Sequence, residues 1–441
     1  MVLDSYFDER HDPRPTSITD EAARDVTAAV QAHINREFAP AEVMSPDDET
    51  REAIIERIHH WTQKELRARG LGGAGRHLEA AMADRIRHQM LGLGFLEPFL
   101  ARDDISELSL NPDGSFWTMR RGATTWIRAE DVDDDFVLPS PTGVRIVIDK
   151  LLGAVNRRIS EAEPIVSAKI PRSRTLPAGA RVNVVAPPIA NGDYPALNVR
   201  LYEPEPVPPE KLLAWRELSE PMMAFLRQAV ADQLRIMVAG GTATGKTTLL
   251  SCLVGLIPHD QRIVLVEDPA EIFVEHPQAL SLEARPPTVE GQYGVSVGDL
   301  VTTAMRMSPR WLVVGEVRQG DAGVWLMRAQ MSDHPGMSSI HAADPKVAVE
   351  TLCLLAQIDH RPPVPYRATK TLVARSIDLF VQIGVDHFGV RRVTRIGQVE
   401  PRLKHGEVFI KDLFLYRPEQ STKEKPVWEQ VGRRTRSRTV V

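Results

Sequence analysis

The sequence is short of cysteine, of long apolar runs and of surplus positive charge, and each shortage removes a class of protein. Only Cys252 and Cys353 occur in 441 residues. Two thiols do not make a disulfide framework, and no CxxC spacing points to zinc. Both lie in apolar helical stretches, so they are expected to be buried thiols of a reducing compartment. Nowhere do about 18 apolar residues run together, so no membrane-spanning helix is expected. The start, MVLDSYFDERHDPRP, has no positive n-region followed by an apolar h-region, so no signal peptide is expected there. The net charge of −5 leaves no overall basic field to attract nucleic acid or an anionic membrane. No internal repeat is present.

What is there is an ordinary globular composition, 43% hydrophobic and 26% charged, in a chain long enough for about two to four domains. Residues 1–48 are polar, acidic and broken by proline; they are expected to be flexible, with one short helix at 18–35. Over 49–100 the period is helical: Ile54, Ile58, Trp61 and Leu66, then Leu78, Met82, Ile86 and Met90 at every fourth position, which predicts a small helical bundle. From 101 to 205 the period falls to two. ISELSL (105–110), an Asn-Pro-Asp-Gly turn and 115–120 predict a hairpin. A helix at 141–156 and strands at 165–170, 181–186 and 196–201 complete a small α+β domain. EPEPVPPE (203–210) is proline-rich and acidic, and a stiff linker is placed at 206–213. Over 214–416 helices alternate with apolar strands at 236–239, 263–266, 311–314 and 378–383, the pattern of a mostly parallel α/β sheet. The remainder, 417–441, ends in RRTRSR and is expected to be a solvated basic tail, with weak lipid or nucleic-acid contact as the alternative.

Within the α/β region, Gly240-Gly241-Thr242-Ala243-Thr244-Gly245-Lys246-Thr247 matches GxxxxGK[ST] in full, between the strand RIMVA and the helix TTLLSCLVGLI. The residue types fit phosphate binding. Glycines let successive N–H groups turn toward phosphate oxygens, the new helix directs its positive end at them, Lys246 reaches the β- and γ-phosphates, and the Thr247 hydroxyl takes Mg²⁺. Thr248 completes the binding segment 240–248.

Carboxylates follow at the ends of two further apolar strands. RIVLV leads into Glu267-Asp268-Pro269-Ala270-Glu271, and strand ends of an α/β sheet open onto the ligand crevice. WLVV ends in Gly315-Glu316-Val317-Arg318, where Glu316 stands as the Walker B acid that holds Mg²⁺ through water or polarises the attacking water. His334 and His341 are seven apart around a third strand. His341, at its end, is read as functional; for His334 a structural and a functional role are left equally open.

This order of P-loop, EDPxE box, GE-type acid and paired histidines resembles the secretion-ATPase superfamily of type II and type IV secretion and pilus assembly. RVNVVAPPIA (181–190), LEARPPTVEG (282–291), RMSPRWLVVGEVR (306–318), SSIHAADP (338–345) and the hairpins at 391–400 and 407–416 resemble its CpaF-like tight-adherence (Tad) branch, over roughly residues 50–416. The resemblance implies an N-terminal α+β domain joined to a RecA-like P-loop NTPase core, preceded by a small helical region. It implies a homo-hexamer in the cytoplasm, at the inner face of the membrane, that binds ATP and Mg²⁺ between the two domains and works through an inner-membrane platform protein; no nucleic acid is expected as a partner, on the net acidity. It makes Glu271 the general base, Glu267 and Asp268 supports for metal and water, Glu316 the Walker B acid and His341 the γ-phosphate sensor. Arg181 and Arg200 match arginines that swing onto the phosphates. Arg157, Arg158, Arg285, Arg306 and Arg318 also lie in family-like segments without an assigned role. Two departures stand out. The loop has Thr-Ala-Thr where the branch has Thr-Gly-Ser, and alanine suits that place only if φ stays negative. The histidine box SDHPGMSSIHA replaces TGHDGSMGTLHA, losing two glycines and gaining a proline, which stiffens it. The alternatives are a DNA-transfer motor of conjugation type, against which the net acidity argues, and a nucleotide-gated scaffold with little hydrolysis, against which the full set of acids argues.

Overall fold

The computed structural model describes residues 20–435 apart from 40–41, 44–46, 72–75, 124, 135, 174–175, 178, 203–204, 286–293 and 333. The chain forms two compact units, one of residues up to Leu201 without Met119–Thr125, the other from Tyr202 onward together with that stretch.

The first unit opens with three helices, Asp20–Glu37, Asp48–Ala68 and Arg76–Leu91, which pack on one another through Val26, Val30, Ile34, Ile54, Ile58, Leu66 and Ile86. The short helix expected at 18–35 is present as Asp20–Glu37, but it packs into a buried core instead of standing in a flexible segment. Val26, Val30 and Ile34 recur every four residues and form the buried stripe that docks it. Asp47 caps the second helix by accepting from Thr50 N at 2.8 Å. Lys150 does the converse for the third: its ammonium donates to the carbonyls of Gln89, Met90 and Gly92 at 2.9, 3.0 and 3.3 Å, near the helix end where carbonyls lack partners.

Six strands follow: β1 (Ile105–Leu110), β2 (Phe116–Arg120), β3 (Trp126–Arg128), β4 (Ile165–Ile170), β5 (Ala180–Val185) and β6 (Ala196–Leu201). They form one sheet in the order β3-β2-β1-β6-β5-β4. Alternation sends Val166, Val182, Val184 and Val199 into a core shared with Val144, Ile148, Leu151 and Leu152 of the helix Pro141–Gly153.

The second unit is a nine-stranded sheet of β7 (Ile236–Gly240), β8 (Ile263–Glu267), β9 (Ala279–Glu283), β10 (Trp311–Val317), β11 (Gly336–His341), β12 (Leu379–Val385), β13 (Arg391–Val399), β14 (Ile410–Tyr416) and β15 (Trp428–Gln430). The order is β15-β14-β13-β12-β7-β11-β10-β8-β9. From β12 to β9 every pairing is parallel; β13 to β15 continue antiparallel. Every residue of β7 and β8 is buried because helices cover both faces, which is why they read as unbroken apolar runs. One face packs on Lys246–Val254 and Glu220–Ala231, the other on Val297–Ala304, Gly320–Met331, Pro345–Ile358 and Tyr366–Ser376. With β7 carrying the P-loop between β11 and β12, this is a RecA-like α/β core. The C-terminal stretch departs from a solvated tail: β15 adds to the sheet edge, and Trp428 Nε1 donates to Val393 O at 2.7 Å. An indole that buries its ring and satisfies its N–H gains enough to order the chain around it. Cys252 and Cys353 are both buried, and burial pushes their thiols up to about 12 and about 11.

At the edge opposite the P-loop, β7 and β12 are tied by a buried ion pair. Arg235 donates to Asp378 through Nε (2.8 Å), Nη2 (2.8 Å) and its backbone N–H (2.9 Å), and through Nη1 to Gln330 O at 3.0 Å. Removing one partner of a fully hydrogen-bonded buried pair strands the other charge. Asp378→Ala is therefore expected to lower unfolding stability by about 3–5 kcal/mol, read as a fall in the urea midpoint. A midpoint within experimental error of wild type would contradict this.

Candidate nucleotide site

The site is built where β7, β8, β10 and β11 end on one edge of the parallel sheet. β7 closes at Gly240, where a Cβ would stand 2.6 Å from both Ile383 O and Thr244 Oγ1, so only glycine lets the chain leave the strand there. The loop turns through Ala243 at φ 57° and Gly245 at φ 96°, and the helix begins at Lys246. Ala243 thus occupies the left-handed region, which alanine tolerates at a strain of about 1–2 kcal/mol; the condition placed on that position in the sequence is not met. Lys246 is 9% exposed. Its ammonium lies back over the loop, donating to Gly241 O at 2.8 Å, with Glu316 Oε1 3.8 Å away. Thr244 Oγ1 also donates to Gly241 O, at 2.9 Å. The first N–H groups of the new helix have no intrahelical acceptor, which makes this end an anion site.

The acids divide into different tasks. Glu267 is 2% exposed, and its Oε1 accepts from the backbone N–H groups of Glu271 and Ile272, each at 3.0 Å. It therefore fixes the loop that carries Glu271. A Cβ on Gly315 would come within 3.0 Å of Glu267 Cγ, so the glycine before Glu316 is what lets the two acid-bearing strand ends lie side by side. Glu316 sits at an irregularity in the β10–β11 register and receives Arg318 Nε at 2.5 Å. Arg318 Nη1 also donates to Asp268 O at 3.2 Å, joining the two acidic loops. Glu271, Thr247, Thr248, Ser251 and Phe273 line one small cavity of about 30 Å³ with Glu205, Pro206 and Val207 of the linker. That cavity places Glu271 beside the hydroxyls at the head of the P-loop helix.

His341 ends β11, paired in register with Gly240, and its Nε2 is 3.3 Å from Thr242 Oγ1. It touches the loop. His334 precedes the other end of β11, roughly 17 Å away at about 3.3 Å per residue, and is not brought to the site. Arg181 and Arg200 belong to the first unit. They face each other across β5–β6 in a cross-strand row with Lys169 and Glu107, and Arg200 Nε is 3.8 Å from Glu107 Oε1. Most of LEARPPTVEG lies outside the described residues. Sequence reasoning assigned no role to Arg318 and did not reach Ser251, Phe273 or Ser339, whose hydroxyl donates to Gly315 O at 2.7 Å. None of these carries a local signature; only the folded strand ends bring them together. Among the described residues no three His, Cys, Asp or Glu side chains converge as a metal cage. One hydroxyl and nearby carboxylates are what Mg²⁺ uses when phosphates and water supply its other ligands, so Thr247 and Glu316 fit that ion.

The family model described as type II/IV secretion system protein matches residues 133–376, more than half of the chain. A putative conjugal transfer protein of Mycobacterium tuberculosis is 29% identical over 72% of this chain and 88% of its own. The type IV secretion system protein PtlH of Bordetella pertussis is 29% identical over 69% and 92%. Among solved structures, the pilus retraction motor PilT with bound ADP shares the fold at a TM-score of 0.50 and 16% identity, covering 71% of this chain and 81% of its own.

The strain at Ala243 gives a direct test. Ala243→Gly removes the left-handed penalty while loosening the unfolded chain, and it is expected to stabilise the protein by about 0.5–1 kcal/mol net, seen as a higher urea midpoint. A lower midpoint would contradict the assigned backbone conformation.

Proposed function

The chain is an ATPase of the type II/IV secretion system protein family, and on that premise we propose that it is the cytoplasmic motor of a Tad-type pilus or related secretion machine. The observation that carries the reading is the meeting of Glu271 with Thr247 and Thr248 in one cavity at the head of the P-loop helix. The residues of this chain divide the work. Amides of 241–248 and the Lys246 ammonium hold the triphosphate, and Lys246 leaves Gly241 O to do so. The Thr247 hydroxyl and Glu316 would hold Mg²⁺, which would supply charge neutralisation to the phosphates when bound. Glu271, fixed by Glu267, orients the attacking water in line with the γ-phosphate and takes its proton. Asp268 supports the same loop through its backbone contact to Arg318, and His341 reports the γ-phosphate to β11 through Thr242. Arg181 and Arg200 add positive charge to the phosphates during turnover.

The assembled form is a homo-hexamer at the inner face of the cell membrane, driving a platform protein. No described helix is long and apolar enough to cross a membrane. The kinship with a protein named for conjugal transfer favours a second reading, a motor for DNA transfer; a net charge of −5 favours a protein cargo.

The test is phosphate release by the purified chain. Lys246→Ala is expected to abolish turnover together with ATP binding. Glu271→Gln is expected to lower kcat by about 10²–10⁴-fold, the range of a lost general base, while ATP still binds. Wild-type turnover in Glu271→Gln would overturn the assignment of the base. In the native host, loss of surface pili in the Lys246→Ala strain separates pilus assembly from DNA transfer.

A further inference from the structure

β13 opens with two arginines that leave the strand on opposite faces. Arg392 is fully buried and engaged in structure: Nε donates to Asp386 Oδ2 at 3.1 Å, Nη2 to Lys423 O at 2.9 Å, and Nη1 to Arg216 O. Asp386 in turn accepts from the N–H groups of Phe388 and Val390, both at 2.9 Å, and from the Tyr416 hydroxyl at 3.2 Å. Burial alone would raise its carboxyl, but the bonds from Val390 and Arg392 outweigh that and hold it below the usual carboxylate range. The turn between β12 and β13 is therefore fixed, and with it the direction of Arg391.

Arg391 points at the P-loop. Its Cδ lies 3.4 Å, and its Nε 4.0 Å, from the position a Cβ would take on Gly245, beside Ile383 Cδ1 at 3.5 Å. Its Nε is buried and makes no hydrogen bond. A cation packed against the glycine of a phosphate cradle, with a buried donor lacking an acceptor, is a poor structural element and a good anion ligand. A guanidinium presents planar paired donors that match phosphate oxygens, and charge-assisted bonds to phosphate are the strong ones. Lys246 lies toward Glu316, on the β10 side; Arg391 lies on the β12 side. β12 and β10 flank the pair β7–β11 from opposite sides, so the two cations reach the loop from different directions.

We infer that Arg391 is a nucleotide-binding residue, donating to the α/β-phosphate oxygens of the nucleotide held by residues 241–248. This rests on the nucleotide reading of the P-loop. The γ-phosphate is not needed for the contact, so ADP and ATP feel it alike.

The experiment is an equilibrium titration of the full chain with a fluorescent ADP analogue and Mg²⁺, with a thermal melt of each variant in the absence of nucleotide. Arg391→Met keeps an apolar stem on Gly245 and removes the charge. It is expected to weaken MgADP about tenfold, the share of one charge-assisted hydrogen bond, with an unchanged melt. Arg391→Lys is expected to recover part of the loss. The KM for ATP should rise by the same factor, and by more than kcat falls. Arg391→Met binding MgADP within twofold of wild type overturns the inference. Lys246→Ala separates the two levels: if it weakens MgADP while Arg391→Met does not, only this inference fails, and if neither weakens it, the P-loop reading fails with it.

Discussion

Parallel pairing is the constraint on which the second unit depends. When β12, β7, β11, β10, β8 and β9 run the same way, all their carboxyl ends reach one edge, and each return crossing must pass back over the sheet, with a helix in every case but the β8–β9 connection. Two consequences follow at once. Both faces are covered, so β7 and β8 are buried throughout. And the residues at these strand ends, Gly240, Glu267, Glu316 and His341, come from distant parts of the sequence to a shared crevice. The Arg235–Asp378 pair secures the same register from the opposite edge, where β7 and β12 begin.

Within that crevice the acids form a hierarchy. Glu267 is the most buried and holds backbone rather than solvent. Glu316 is shared between Arg318 and the approach of Lys246. Glu271 lies at the cavity, held from behind. A carboxylate that orders a loop and one that meets a water are chemically the same group; their depth separates them. The loop itself keeps alanine at a left-handed position where glycine is at ease, so some folding energy is held as strain in the P-loop.

Much of this was legible in the sequence. The P-loop announced itself because strand, glycines, lysine and helix are contiguous. The acids at 267–271 and 316 were legible because each follows an apolar run, and a strand end in such a sheet is a functional address. What stayed hidden was hidden for physical reasons. The helix Asp20–Glu37 was legible but its docking was not, because acids dilute its buried stripe, and β15 is three residues long and depends on where Trp428 docks. The positive φ of Ala243 is a property of the loop's path. Arg318 and Arg391 look like their neighbours Arg306 and Arg392 in a sequence, and differ only in what stands opposite them in space.

The central claim is that the ends of β7, β8 and β10 form one ATP-hydrolysing site. A crystal structure of the full chain with Mg²⁺ and a non-hydrolysable ATP analogue tests it most directly. The account predicts phosphate oxygens on the amides of 241–248, Lys246 Nζ moved from Gly241 O onto the β- and γ-phosphates, the metal on Thr247 Oγ1, and Glu271 facing the γ-phosphate. Nucleotide bound away from this loop, or bound with Lys246 still on Gly241 O, would contradict it.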